Sequence, residues 1–205
     1  FRTQQRSAVQ TVGAHIGLAD ATLSIDANGS YRGIQIYRVQ NTTEQYLVIE
    51  LPENSLLWTA HVAGEPVKPA RVAGNTGSLV RIPLVKTSAG DRDYEVRLVY
   101  GGRTSPLGDF RQINFPLLRV ENIGVQRSQV RLHVPETHRW FDFGGSMGLV
   151  EDETYEERAL LDYGSAQLES LLGLMDRVSS KASYDSYEGK RARIALESLV
   201  EEQME

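Results

Sequence analysis

With 205 residues, 40% of them hydrophobic and 24% charged, the chain has globular composition and can bury a core as one large domain or two small ones. A formal net charge of −5 argues against nucleic acid as a main partner, because phosphate binding needs a concentrated basic surface. No apolar run approaches the ~20 residues that cross a bilayer, no signal peptide stands out, and the lack of cysteine excludes disulfides, thiolate nucleophiles and cysteine-based zinc sites.

From about residue 7 to 150 the pattern alternates strand and turn. Strands are predicted at Ala21–Ile25, Gly33–Val39, Gln45–Leu51, Leu57–Val62, Ser78–Val85, Tyr94–Tyr100, Gln112–Val120, Gln129–Val134 and Trp140–Phe143. Asn28-Gly29, Pro52-Glu53-Asn54, Ala63-Gly64, Gly74-Asn75, Ala89-Gly90, Gly101-Gly102 and Pro135-Glu136 punctuate them as turns. Asn28-Gly29 suits a tight type I′ hairpin, which needs two residues that accept positive φ. In Tyr94–Tyr100, Tyr94, Val96, Leu98 and Tyr100 share one face while Glu95 and Arg97 share the other, so this strand has one buried and one wet side.

After residue 150 the period changes. Leu161, Leu168, Leu171, Leu172, Met175 and Val178 fall at helical spacing, and Glu153, Glu156 and Glu157 suit a helix N-terminus. A Ser/Tyr/Asp-rich loop over 179–189 separates this helix from a second, amphipathic one over Arg191–Met204. The fold class is therefore mainly β: an antiparallel β-sandwich, as one large or two tandem modules, followed by a C-terminal helical hairpin. Residues 1–103 read as a sandwich module, 104–150 as a second partial module or a continuation of the same sandwich, and 151–205 as the helical segment. Phe1 in place of an initiator Met, and Glu201, Glu202 and Glu205 at a helix end whose dipole disfavours them, suggest a piece of a longer protein.

Arg38-Val39-Gln40-Asn41, Leu51-Pro52-Glu53 and Trp58 are echoed by Arg119-Val120-Glu121-Asn122, Val134-Pro135-Glu136 and Trp140. This is either a repeated β-unit or the ordinary likeness of two hairpins. The Trp-containing, Leu-Pro-Glu pattern of residues 30 to 150 resembles β-rich regions of large bacterial envelope proteins of unknown function. That resemblance implies a periplasmic, cell-envelope or extracellular location and brings no site residue with it.

No catalytic residue, metal ligand or cofactor is expected from the residues. Of the histidines, His15, His61, His133 and His138, none lies in His-Glu-x-x-His. His133 and His138 flank one turn and would still need Glu136 or Asp142 to hold a metal. Gly144-Gly145-Ser146-Met147-Gly148 lacks the strand-turn-helix context of a nucleophile elbow, and a glycine-rich turn explains it. Asp109, Glu121, Asp142 and Glu151-Asp152-Glu153 supply carboxylates with no spacing that pairs them across a cleft or around calcium. Asn28-Gly29-Ser30 and Asn41-Thr42-Thr43 match the N-glycosylation triplet. Trp58 and Trp140 are read as core residues, with a sugar-stacking platform as the alternative. Tyr184 and Tyr187, in the loop between the helices, are the candidate ligand contacts. The expected role is a non-catalytic structural or protein-interaction module of a larger exported bacterial protein, its partner another protein or other domains of the same parent. The alternatives are a carbohydrate-binding sandwich and, behind it, a hydrolase.

Overall fold

The computed structural model describes residues 13–72, 78–88, 91–107, 112–138, 140, 144, 147–150, 154–179, 190–191 and 193–198. Its strands are β1 (Ala14–Ile25), β2 (Ser30–Asn41), β3 (Tyr46–Glu50), β4 (Ser55–Val62), β5 (Glu65–Pro66), β6 (Ala70–Arg71), β7 (Leu79–Pro83), β8 (Tyr94–Arg103), β9 (Arg119–Val120) and β10 (Gly124–His133), followed by helix α1 (Thr154–Ser179). Residues 190–191 and 193–198 are also helical. The strands form a six-stranded sheet in the order β10-β1-β2-β8-β4-β5 and a four-stranded sheet in the order β6-β7-β3-β9.

One apolar core joins the sheets. The six-stranded sheet contributes Ile16, Leu23, Tyr37, Val39, Val96, Leu98 and Tyr100, and the smaller sheet contributes Leu47, Ile49, Val80 and Ile82. Period-two alternation puts these side chains on the facing surfaces, and each large one contributes about 1.5–3 kcal/mol by leaving water. Tyr100 shows how closely the inner face is fitted. Its ring lies across Gly33, its cross-strand partner, where any Cβ would collide with it. It meets Tyr31 edge to face at 6.4 Å, and its hydroxyl donates to the Pro116 carbonyl at 2.9 Å.

The chain changes sheets at two asparagines that the sequence echo aligns. Asn41 ends β2 wholly buried; its amide donates to the carbonyls of Glu44 and Val85 and its Oδ1 accepts from the Glu44 N–H. Asn122 lies between β9 and β10; its Oδ1 accepts from the Val48 N–H and its amide donates to the Tyr46 carbonyl, so a side chain extends the β3–β9 ladder. At both corners an amide side chain satisfies backbone groups that a departing strand would leave unpaired. Asn41 is thereby fully engaged and inaccessible as a glycosylation acceptor.

Several expectations are corrected. The sandwich is not purely antiparallel, because β10 lies parallel to β1 from His15 opposite Gly124 to Ser24 opposite His133. Strand β10 starts at Gly124, ahead of the predicted Gln129, and β1 starts at Ala14, ahead of the predicted Ala21. Of the predicted Gln112–Val120 strand, only Arg119–Val120 pairs. Trp140 belongs to no strand, and residues 141–143 lie outside the described residues. At Asn28-Gly29 only the glycine takes positive φ, 80°. The Gly29 N–H donates to the Asp26 carbonyl and the Asp26 N–H to Ser30, which makes a longer hairpin loop. The turn with two left-handed residues is at Ala63 (φ 51°) and Gly64 (φ 83°), joining β4 to β5.

Helix α1 lies on the outer face of the six-stranded sheet. A register shift between Ile16 and Leu18 leaves Gly17 unpaired with β2, and Tyr163 occupies the space a Cβ there would need. The Tyr163 hydroxyl donates to the Asp93 carboxylate at 2.6 Å and accepts from the Gln167 amide at 2.8 Å. Burial, and then the Asp93 carboxylate, push the phenol well above its ordinary range.

Candidate functional site

The outer face of the six-stranded sheet carries a surface that none of the sequence motifs marks. Register alone places it. Across β2, β8 and β4, Arg32 stands opposite Gly101, which stands opposite Leu56. Ile34, Val99 and Thr59 form the next row, and Ile36, Arg97 and His61 the row after. All point away from the core, since their neighbours Gly33, Leu98, Tyr100, Ala60 and Val62 are buried on the other side.

Trp58 completes this surface and corrects its expected place in the core. It is 54% exposed. The cause is local: the β4–β8 register shifts between Leu57 and Thr59, so Trp58 and Thr59 both face outward where strict alternation would send one inward. The six-membered edge of its indole lies over Gly101, where a Cβ would strike it. Gly101 and Gly102, expected to form a turn, are inside β8, and Gly101 is a glycine in a strand because another group approaches its backbone closely. Leu56, beside the indole, is 58% exposed.

The platform is cationic at its margins. Arg32 and Arg97 are exposed and form no ion pair with any described residue. Asp20 and Arg131 make a separate contact at 3.9 Å further along the face, between β1 and β10.

The sequence-derived candidates are dispersed. Tyr184 and Tyr187 lie outside the described residues, as do Asp109, Asp142, Ser146 and Glu151-Asp152-Glu153. His15 and His133 stand at opposite ends of the β1–β10 pair, roughly 25–30 Å apart at strand rise. His61 is on the platform opposite Arg97, and His138 Nδ1 lies 3.0 Å from the Thr137 hydroxyl in the turn after β10. Glu121 is exposed beside β9, its N–H donating to the Val48 carbonyl. Among the described residues no three His, Asp or Glu side chains converge as metal ligands. Trp140 is half-buried against Phe115, their ring centroids 6.1 Å apart. A shallow hollow of about 300 Å³ lies between Asp91, Arg92, Arg191, Ile194, Ala195 and Ser198, and the 2.9 Å Arg191–Asp91 ion pair spans its wall. No described helix is long and apolar enough to cross a membrane.

No family model and no curated protein matches the chain. Among solved structures it is similar to an M1 zinc metallopeptidase from Deinococcus radiodurans, at 19% identity over 44% of this chain and 21% of that one, with a TM-score of 0.36. A two-domain M1 zinc metallopeptidase bound to L-arginine matches at 17% identity over 61% of this chain and 33% of that one, TM-score 0.41. Leukotriene A4 hydrolase from Saccharomyces cerevisiae matches at 12% identity over 48% and 18%, TM-score 0.34. The chain thus spans between about a fifth and a third of the length of these proteins. Overlaps this partial carry no zinc site and no peptidase activity across to it.

Proposed function

We propose that the chain is a non-catalytic protein-interaction module whose docking surface is the Trp58 platform on the outer face of the six-stranded sheet. The envelope location implied by the sequence resemblance belongs to the same proposal. One observation carries the reading: a large aromatic and a leucine stand more than half exposed on β4, which pairs with β8 along its length, with two arginines at the margins that ion-pair with no described residue. An apolar centre with an arginine rim is the composition of protein interfaces, in which Trp and Arg supply most of the binding energy. Strands hold such side chains in place before a partner arrives, which lowers the ordering cost of binding.

The exposed Trp58 also supports the second reading, a carbohydrate-binding sandwich. Against it, the side chains beside the indole include the aliphatic Leu56, Val99 and Ile34, and no second exposed aromatic ring shares the described rows of the platform to give a sugar another stacking plane. The two readings separate by experiment. A photo-crosslinking amino acid at position 56, in the cells that make the protein, is expected to give discrete protein adducts, and the same group at position 136 none. Equal labelling from both positions, or none from position 56, overturns the interaction reading. Glycan-array binding that disappears in Trp58→Ala would replace it with the carbohydrate one.

A further inference from the structure

We infer that the partner of the platform is a second copy of this chain, with α1 of each protomer lying across the Trp58 surface of the other. The inference rests on the docking reading above and adds the identity of the occupant.

Two complementary surfaces occupy the same side of the molecule. Helix α1 is seated on the outer face of the six-stranded sheet by Tyr163 over Gly17, and the platform occupies the part of that face around β8 and β4. Tyr163, Gly164, Gln167, Leu168 and Leu171 form the more buried side of α1. Two exposed leucines border that side, and two carboxylates lie opposite it. Leu161 and Leu172, 59% and 47% exposed, fall on one line about three turns apart. Asp162 and Glu169, both exposed, form a parallel line beside them about two turns apart. Neither carboxylate pairs with a cation among the described residues. Leu161 and Leu172 stay about half exposed at the margin of the seated side, beside Leu168.

The charges and spacings of the two surfaces match. The helix offers leucines beside two carboxylates, and the platform offers Trp58 and Leu56 beside two guanidinium groups, none of the four ion-paired with a described residue. Asp162 and Glu169 are ~10 Å apart along the helix axis. Arg32 and Arg97 are ~13 Å apart along the strands, and long arginine side chains absorb the difference. Docking would bury both apolar lines and pair both sets of charges, so the desolvated carboxylates and guanidiniums would compensate each other. Because donor and acceptor surfaces share one side of one chain, a two-fold axis closes the pair with two identical contacts and leaves no open end for a filament.

Sedimentation velocity on the purified chain tests this, run over a range of concentrations at low and high salt. The wild type is expected to show a monomer–dimer equilibrium that salt weakens. Arg32→Glu with Arg97→Glu, and separately Asp162→Arg with Glu169→Arg, are each expected to weaken self-association by about a hundredfold or more, through like-charge contact. A mixture of the two variants is expected to recover a one-to-one dimer, since each contact then pairs opposite charges again, and that recovery requires both variants to be folded. A wild type that stays monomeric at every concentration overturns the inference, as do variants that dimerise like wild type or a mixture that fails to associate. The docking reading stands or falls separately, on the labelling contrast between positions 56 and 136.

Discussion

The two faces of the six-stranded sheet use the same strands for opposite ends. On the inner face, glycine and aromatic meet inside the core: Gly33 admits the Tyr100 ring, which is fixed by Tyr31 and by a hydrogen bond to Pro116. On the outer face a glycine again admits an aromatic, Gly101 under Trp58, yet the ring is left more than half exposed. One device thus produces a locked core element on one side and a presented surface on the other. What distinguishes them is whether a second layer closes over the aromatic. The four-stranded sheet does so inside; outside, α1 covers the Gly17 end and, among the described residues, Trp58 is left more than half exposed.

The largest contrast is expected from truncating a leucine on each face. Leu98→Ala, on the inner face of β8, removes a wholly buried side chain and should cost about 3–4 kcal/mol in urea unfolding through lost burial and a cavity. Leu56→Ala, on the neighbouring β4 but facing out, should cost less than about 0.5 kcal/mol. Equal costs would remove the distinction between the faces.

A smaller effect is expected from alkaline pH, and it reports the inner face and the α1 contact. Burial raises Tyr37 and Tyr100 well above the ordinary phenol range and Tyr94 to about 12, and Tyr163 is raised by burial and by Asp93. Each phenol holds its proton more tightly folded than unfolded. Its contribution is therefore complete below the unfolded value near 10 and is lost as pH rises through the folded value. Unfolding free energy should be level from neutral pH to about 9.5 and fall above about 10, because the unfolded chain releases phenolic protons first. Tyr100→Phe should make that fall shallower. Stability that held level past pH 11 would contradict the burial of these rings.

How much of this was legible in the sequence follows from where alternation is regular. Tyr94–Tyr100 alternates cleanly, and Val96, Leu98 and Tyr100 are buried while Arg97 is exposed, as the pattern requires. Strand β10 was under-read because Gly124–Ser128 is polar and exposed, and its parallel partner β1 lies far away in sequence. Trp58 was misplaced because a register shift at its own position breaks the alternation on which the core assignment rested. The platform had one local signal, the Gly101-Gly102 pair, which fits a turn as readily as a strand accommodating a ring. Its arginines come from different strands, and only pairing brings them together. The expected contact residues Tyr184 and Tyr187 fall outside the described residues, and the platform is built from β2, β4 and β8.

A modest expected effect on stability is the most decisive for function. Trp58→Ala, followed by urea unfolding and by photo-labelling from position 56, separates a presented side chain from a core one. A loss of no more than about 1 kcal/mol is expected, from the part of the ring that covers Gly101, together with loss of the protein adducts. A loss of about 3–5 kcal/mol, the cost of removing a buried tryptophan, with adducts undiminished, would contradict it.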